Sequence, residues 1–159
     1  MKEINVNLIK DTVARLCIEA NRVLPADISD KMINARETEE NPLAKAVMCE
    51  LCRNEQVAKE KCLPICQDTG MAVVFIEIGQ EVHFVGGDLN SAINEGVKQG
   101  YSDGLLRKSI VSDPIRRVNT NDNTPAVIHT KIVSGDKVTV TVAPKGFGSE
   151  NMSAIKMLK

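Results

Sequence analysis

The sequence predicts an α+β fold, an N-terminal helical layer packed on a small mixed β-sheet with further helices, and three observations carry that expectation. Residues 4–61 repeatedly place apolar side chains at helical spacing with charged residues between them. A near-continuous β-branched run, Met71-Ala72-Val73-Val74-Phe75-Ile76-Glu77-Ile78, then stands between Gly70 and Gly79. Toward the end, Val138, Val140 and Val142 alternate with Thr139 and Thr141, the period of a half-buried strand. Helices first, then mixed strands, then a further helix is the order of an α+β domain.

Each element has its own local warrant. Ile9, Val13, Leu16, Cys17 and Ala20 make one face of a helix over residues 4–24 that ends near Pro25. A polar helix follows over residues 29–37. Asn41-Pro42 then restarts the chain, with proline at a favourable first-turn position, for a third helix to residue 61. After the strand at 71–78, residues 82–85 are expected to pair beside it, and Asp88 or Asn90 caps a helix running to about Gln99. Strands at 126–133 and 137–143 are joined by Ser134-Gly135-Asp136, a turn of hairpin type. The stretch after Gly148 reads as the start of a helix, and the amphipathic 154–159 segment carries no stop signal, so the chain reads as one domain over 1–159 cut at its C-terminal end. Exposed apolar surface is expected there, and with it self-association into oligomers.

Composition narrows the functional classes. With 20 basic and 21 acidic residues there is no positive field to gather a polyanion, and one Tyr, three Phe and no Trp leave few stacking platforms. Nucleic acid is not an expected partner. No apolar run has the ~20 residues a membrane span needs, and acidic residues stand where a signal peptide would be basic then apolar. A cytoplasmic location is expected, in which five cysteines are thiols rather than disulfides.

Three stretches hold residues that packing does not require. Pro64-Ile65-Cys66-Gln67-Asp68-Thr69-Gly70 presents a thiol, an amide, a carboxylate and a hydroxyl at the edge of the most apolar strand. Pro144-Lys145-Gly146-Phe147-Gly148-Ser149-Glu150-Asn151-Met152-Ser153 follows a strand, with glycines that let backbone amides approach an anion and Ser149 placed to cap a helix. Leu105-Leu106-Arg107-Lys108-Ser109 supplies cations able to hold a carboxylate. Ordinary readings stand beside these: turn chemistry for the glycines, solvated charge for Arg107 and Lys108, a capping Asp68 and a small buried Cys66. Cysteine count offers a rival, a structural zinc held by Cys49, Cys52, Cys62 and Cys66 in a non-catalytic module. Against it, Cys49 and Cys52 fall inside a helix without a glycine-bearing knuckle; Cys17, Cys49 and Cys52 are expected as core residues on helical faces.

The strings themselves settle more than their chemistry does. PICQDTG at 64–70 and APKGFGSENMS at 143–153, with Arg107 in a Leu-Arg-x-Ser setting and residues 119–125 before a strand, resemble the α subunit or N-terminal region of class I fumarases and L-tartrate dehydratases in order and spacing. The resemblance spans essentially the whole chain. It implies a hydro-lyase acting on a small dicarboxylate, fumarate in the first instance and L-tartrate as the alternative. It also implies a 4Fe-4S cluster held by three cysteines with one iron open as a Lewis acid, Cys66 matching the first of those ligands.

By the same resemblance Gln67 and Asp68 contact substrate, Asp68 serving in proton transfer or in orienting the group that does. Arg107 clamps a substrate carboxylate, Gly146 and Gly148 line the opposite wall, and Ser149 and Asn151 fix that loop. The other two cluster cysteines belong to a missing C-terminal part of the α subunit. Further basic residues and the principal base belong to a β subunit or β-like domain. None of Cys17, Cys49, Cys52 and Cys62 stands at those positions, so the chain alone is expected to be inactive.

Overall fold

A computed structural model describes residues 1–158, without the side chains of Ser149 and Glu150. The elements run β1 (Lys2–Asn5), α1 (Val6–Arg22), α2 (Ala26–Thr38), α3 (Pro42–Lys61), β2 (Met71–Gly79), β3 (Val82–Val85), α4 (Leu89–Asp103), β4 (Val127–Val133), β5 (Val138–Lys145) and a single turn, α5 (Gly148–Asn151). Helices with small mixed sheets make this an α+β protein, as the sequence predicts. The chain divides into two compact units: residues 1–18 with 68–159, and residues 19–67.

In the first unit β2 is the central strand of a three-stranded sheet of order β4-β2-β5, parallel to β4 and antiparallel to β5. Ala72, Val74 and Ile76 of β2 are fully buried. They share a core with Ile9, Val13 and Cys17 of α1, Ile93, Val97 and Tyr101 of α4, and Leu106. Burying each such aliphatic side chain contributes on the order of 1.5–3 kcal/mol. Glycines on α4 set how closely the helices meet: a Cβ at Gly96 would lie 2.5 Å from the Lys10 carbonyl, and one at Gly100 would lie 2.6 Å from that of Ala14. Asp88 caps α4, its carboxylate accepting from the Ser91 N–H at 2.7 Å.

The structure corrects four expectations here. The 134–136 stretch is not a hairpin turn, because β4 and β5 do not pair; both pair with β2, and the connection arches over its end. Gly79 permits the arch, since a Cβ there would lie 2.3 Å from the Gly135 carbonyl. Gly79, Gln80 and Glu81 donate their amides to Lys137, Val133 and Gly135. Residues 82–85 do not pair with β2, whose two edges are taken, but with β1 in a parallel two-stranded sheet. β1 itself occupies residues assigned by periodicity to the start of the first helix. Past β5 the predicted helix is only the four-residue α5, and residues 153–158 have no regular structure. Met152, Ile155, Met157 and Leu158 are exposed, as expected of that apolar segment.

In the second unit α2 and α3 pack on one another. Asn41 caps α3 by accepting from the N–H groups of Leu43 and Ala44, with Pro42 at the first turn, and Cys62 ends it in a left-handed conformation, φ 55°. That reading of α3 from sequence matches. The burial expected of its cysteines does not: Cys49 is exposed and Cys52 half-exposed, because Ala58 is the one buried residue of α3 among those described. Cys17 is buried as predicted.

Candidate functional site

Within the first unit, three separated segments are tied together by side chains that reach across the chain. The Asp68 carboxylate accepts from the Gly70 N–H at 3.2 Å and, through its other oxygen, from the Phe147 N–H at 3.0 Å. Gly146 makes room for it, since a Cβ there would fall 2.9 Å from Asp68 Oδ2. The anion that the glycine-rich loop approaches is therefore, in this chain, its own Asp68. Gly70 stands at φ 61°, where a Cβ would lie 2.1 Å from the Lys145 carbonyl, so no side chain fits between this loop and β5.

Thr69 is buried and works in two directions. Its hydroxyl donates to the Arg107 carbonyl at 3.1 Å, and its own carbonyl accepts from the buried Tyr101 hydroxyl at 2.8 Å. The backbone at Arg107 is thereby fixed against the Asp68–Gly70 end of the motif. The Arg107 side chain is exposed and has no ion-pair partner among the described residues. Nearby, Ser109 Oγ is enclosed without a hydrogen-bond partner among the described residues. Lys145 Nζ lies 5.6 Å over the Phe147 ring and donates to the Gly146 carbonyl. Gly148 is open: an added Cβ meets nothing within 4 Å.

Asp68, Gly146 and the Arg107 backbone are thus brought into one cluster. Asn151 is exposed on α5, and the side chain of Ser149 lies outside the described residues. Cys66 and Gln67 belong to the second unit, whose boundary falls within the motif, just before Asp68. There both are exposed, and the Cys66 thiol donates to Gln67 Oε1 at 3.6 Å. The preceding turn is held by the Ile65 N–H on the Asn21 carbonyl and by Asn54 on the Ile65 carbonyl at 2.8 Å. Among the described residues no three His, Cys, Asp or Glu side chains gather as a metal set. The four-cysteine zinc reading fails on that geometry: two of its thiols sit along α3, one at its left-handed end and one in the loop beyond.

Sequence reasoning passed over Thr69, Tyr101, Asn119 and Asn123 as individuals. A threonine or asparagine in a loop is ordinary until its partner is known. The signal available was the density of amide and hydroxyl side chains over residues 119–124, beyond what a turn needs.

The fold and these contacts define the class as an α+β protein in which side chains from the 68–70 loop hold the segments around Arg107 and Gly146. Comparison with known sequences gives the family. A profile described as fumarate hydratase (Fumerase) matches residues 10–159, and the chain belongs to that family. It is 34% identical over 156 residues to a protein designated L(+)-tartrate dehydratase subunit alpha in Methanocaldococcus jannaschii, covering 95% of this chain and 55% of the relative. It is 38% identical over 109 residues to the anaerobic class I fumarate hydratase of Escherichia coli K12, covering 67% of this chain and 20% of that one. The L(+)-tartrate dehydratase subunit alpha of E. coli UTI89 is 27% identical over 151 residues, covering 92% and 49%. The chain therefore spans about half the length of the tartrate dehydratase relatives and a fifth of the fumarate hydratase.

Proposed function

We propose that this chain forms one part of an iron–sulfur hydro-lyase that reversibly hydrates fumarate to malate. The supporting observation is the clasp: Asp68 on the Phe147 amide and Thr69 on the Arg107 carbonyl gather an unengaged guanidinium and a glycine-rich backbone at the family motif. Cys66, exposed and flanked by Gln67, fits one ligand of a 4Fe-4S cluster; the other thiols of the chain are not assembled with it, so two ligands come from the remainder of the α subunit. When bound, such a cluster supplies an open iron as a Lewis acid for a hydroxyl and carboxylate of the substrate.

The chain's own residues then bind and orient. Arg107 holds a substrate carboxylate through its planar fork of donors. Gly146 and Gly148 let the backbone lie against the substrate, with Ser149 and Asn151 steadying that loop, and Gln67 adds an amide contact. Asp68 has both oxygens engaged by backbone amides, which favours an orienting role over carrying a proton away. Tartrate is the second reading, favoured because relatives so named cover more of this chain than the fumarate hydratases do. The partners are the rest of the α subunit and a β subunit or β-like domain, in an oligomer. The described residues include no helix long and apolar enough to cross a membrane, and the five thiols suit the reducing cytoplasm.

The test is fumarate hydration measured anaerobically after iron and sulfide reconstitution, on this chain alone and on the chain completed by its continuation and any β subunit. Activity with iron–sulfur absorbance only in the completed form is expected. A completed form that gains the cluster and turns over tartrate alone selects the second reading, and one that gains neither refutes the assignment.

A further inference from the structure

We infer that Asn123 is a positioning residue for Arg107, setting the carboxylate clamp against the Asp68–Gly70 loop; the inference rests on the reading of Arg107 given above. Asn123 is completely buried and stands at φ 64°, a left-handed conformation that asparagine tolerates better than most residues. Both ends of its carboxamide are used. Oδ1 accepts from the Ser109 N–H at 2.8 Å and Nδ2 donates to the Gly70 carbonyl at 3.1 Å. One buried side chain thus joins the motif loop to the segment that carries Arg107.

That segment has no helix or strand to satisfy its backbone, yet its polar groups are held one after another by partners from elsewhere. The Arg107 carbonyl accepts from the Thr69 hydroxyl at 3.1 Å, the Lys108 carbonyl from Asn119 Nδ2 at 2.9 Å, and the Ile110 carbonyl from the Thr120 N–H at 3.0 Å. The Arg107 guanidinium, by contrast, is exposed and has no ion-pair partner among the described residues. A solvated surface arginine gains nothing from so exact a backbone, whereas a clamp does, because placement of a binding group decides how well it meets its ligand. Asparagine suits the post by chemistry: it has an acceptor for Ser109 and a donor for Gly70, while aspartate would face the Gly70 carbonyl with a second acceptor.

The experiment uses the completed enzyme and two substitutions. Asn123→Asp keeps the Ser109 contact and spoils the Gly70 one; Thr69→Val, nearly the same shape, releases the Arg107 carbonyl and gives an independent reading where Asn123→Asp fails to fold. Both are expected to raise KM for the dicarboxylate by about tenfold with kcat within about twofold, the signature of weakened binding shared by ground and transition states. A lower kcat at unchanged KM in both variants overturns the inference, since it marks loss of active enzyme or of a contact made only in the transition state and leaves carboxylate binding intact. Independently of turnover, Asn123→Ala in this chain is expected to speed hydrogen exchange at the Ser109 amide and tryptic cleavage after Arg107 by at least about tenfold. Unchanged protection there overturns the positioning role whatever the reaction. A wild-type completed enzyme inert toward every dicarboxylate refutes the functional reading instead, and the exchange result still decides whether Asn123 fixes the Arg107 segment.

Discussion

Replacing Gly70 with alanine separates the clasp from ordinary loop packing. Gly70 holds φ 61°, and a left-handed residue with a Cβ costs about 1–2 kcal/mol. The added Cβ would lie 2.1 Å from the Lys145 carbonyl oxygen, 2.3 Å from its carbon and 2.6 Å from the Gly146 nitrogen, all rigid backbone. To reach even 3.0 Å, β5 must withdraw by roughly 1 Å, which opens the ladder where Met71 pairs with Lys145 and draws Phe147 away from Asp68. A lost ladder hydrogen bond is worth about 1 kcal/mol net and a lost bond to a carboxylate about 1.5–3 kcal/mol. Partial relaxation offsets some of this, so the expected loss is about 3–4 kcal/mol, large for one methyl group. Urea unfolding followed by circular dichroism measures it, and Phe147 amide exchange should accelerate in parallel. A loss below about 1 kcal/mol would show that the loop and β5 are not in the contact described and would remove the basis for the clasp.

Asp68→Asn is expected to cost about 1–2 kcal/mol, because either orientation of the amide turns an NH2 toward one of the two backbone N–H groups; unaltered exchange at both Gly70 and Phe147 would refute this. Burial pushes the Cys17 thiol from 9.0 up to about 12, so iodoacetamide at pH 8 should label exposed Cys66 in the native chain and leave Cys17 untouched until denaturant is added; equal labelling would refute its burial. Because that pKa is raised in the folded state, its contribution to stability is complete below pH 9.0 and is lost as pH rises toward 12. Cys17→Ala should lack that alkaline decline, and parallel wild-type and variant curves would be the contrary result. At the acid end, Asp88 is lowered by the Ser91 backbone N–H and then its side chain. At Asp122 burial pushes upward but hydrogen bonds from Thr124 and Thr120 and the Lys98 charge outweigh it. Both carboxylates favour the fold above the ordinary 3.8 and lose that effect as pH falls below it, so Asp88→Asn should flatten melting temperature against pH on the acid side of 3.8; an unchanged slope would speak against the cap.

Local chemistry was legible wherever it was strong. The body of α1, the whole of α3 with its Asn41-Pro42 start, the apolar run of β2, the Asp88 cap of α4 and the alternation of β5 follow from periodicities and caps that need no distant partner. The paired strings around Cys66 and Gly146 likewise gave the family before any geometry.

Tertiary structure decided the rest. A short strand such as β1 has no signature until β3 lies beside it, and the 134–136 turn reads as a hairpin until β2 is found between its arms. Cys49 follows a helical apolar pattern, but burial depends on what packs against that face. The clasp was least visible of all. Its bonds join residues 38, 53 and 79 positions apart, Thr69 to Arg107, Asn123 to Gly70 and Phe147 to Asp68. Sequence names such donors and acceptors, while only the closed chain pairs them, because a hydrogen bond is set by distance in space and carries no mark in the order of residues.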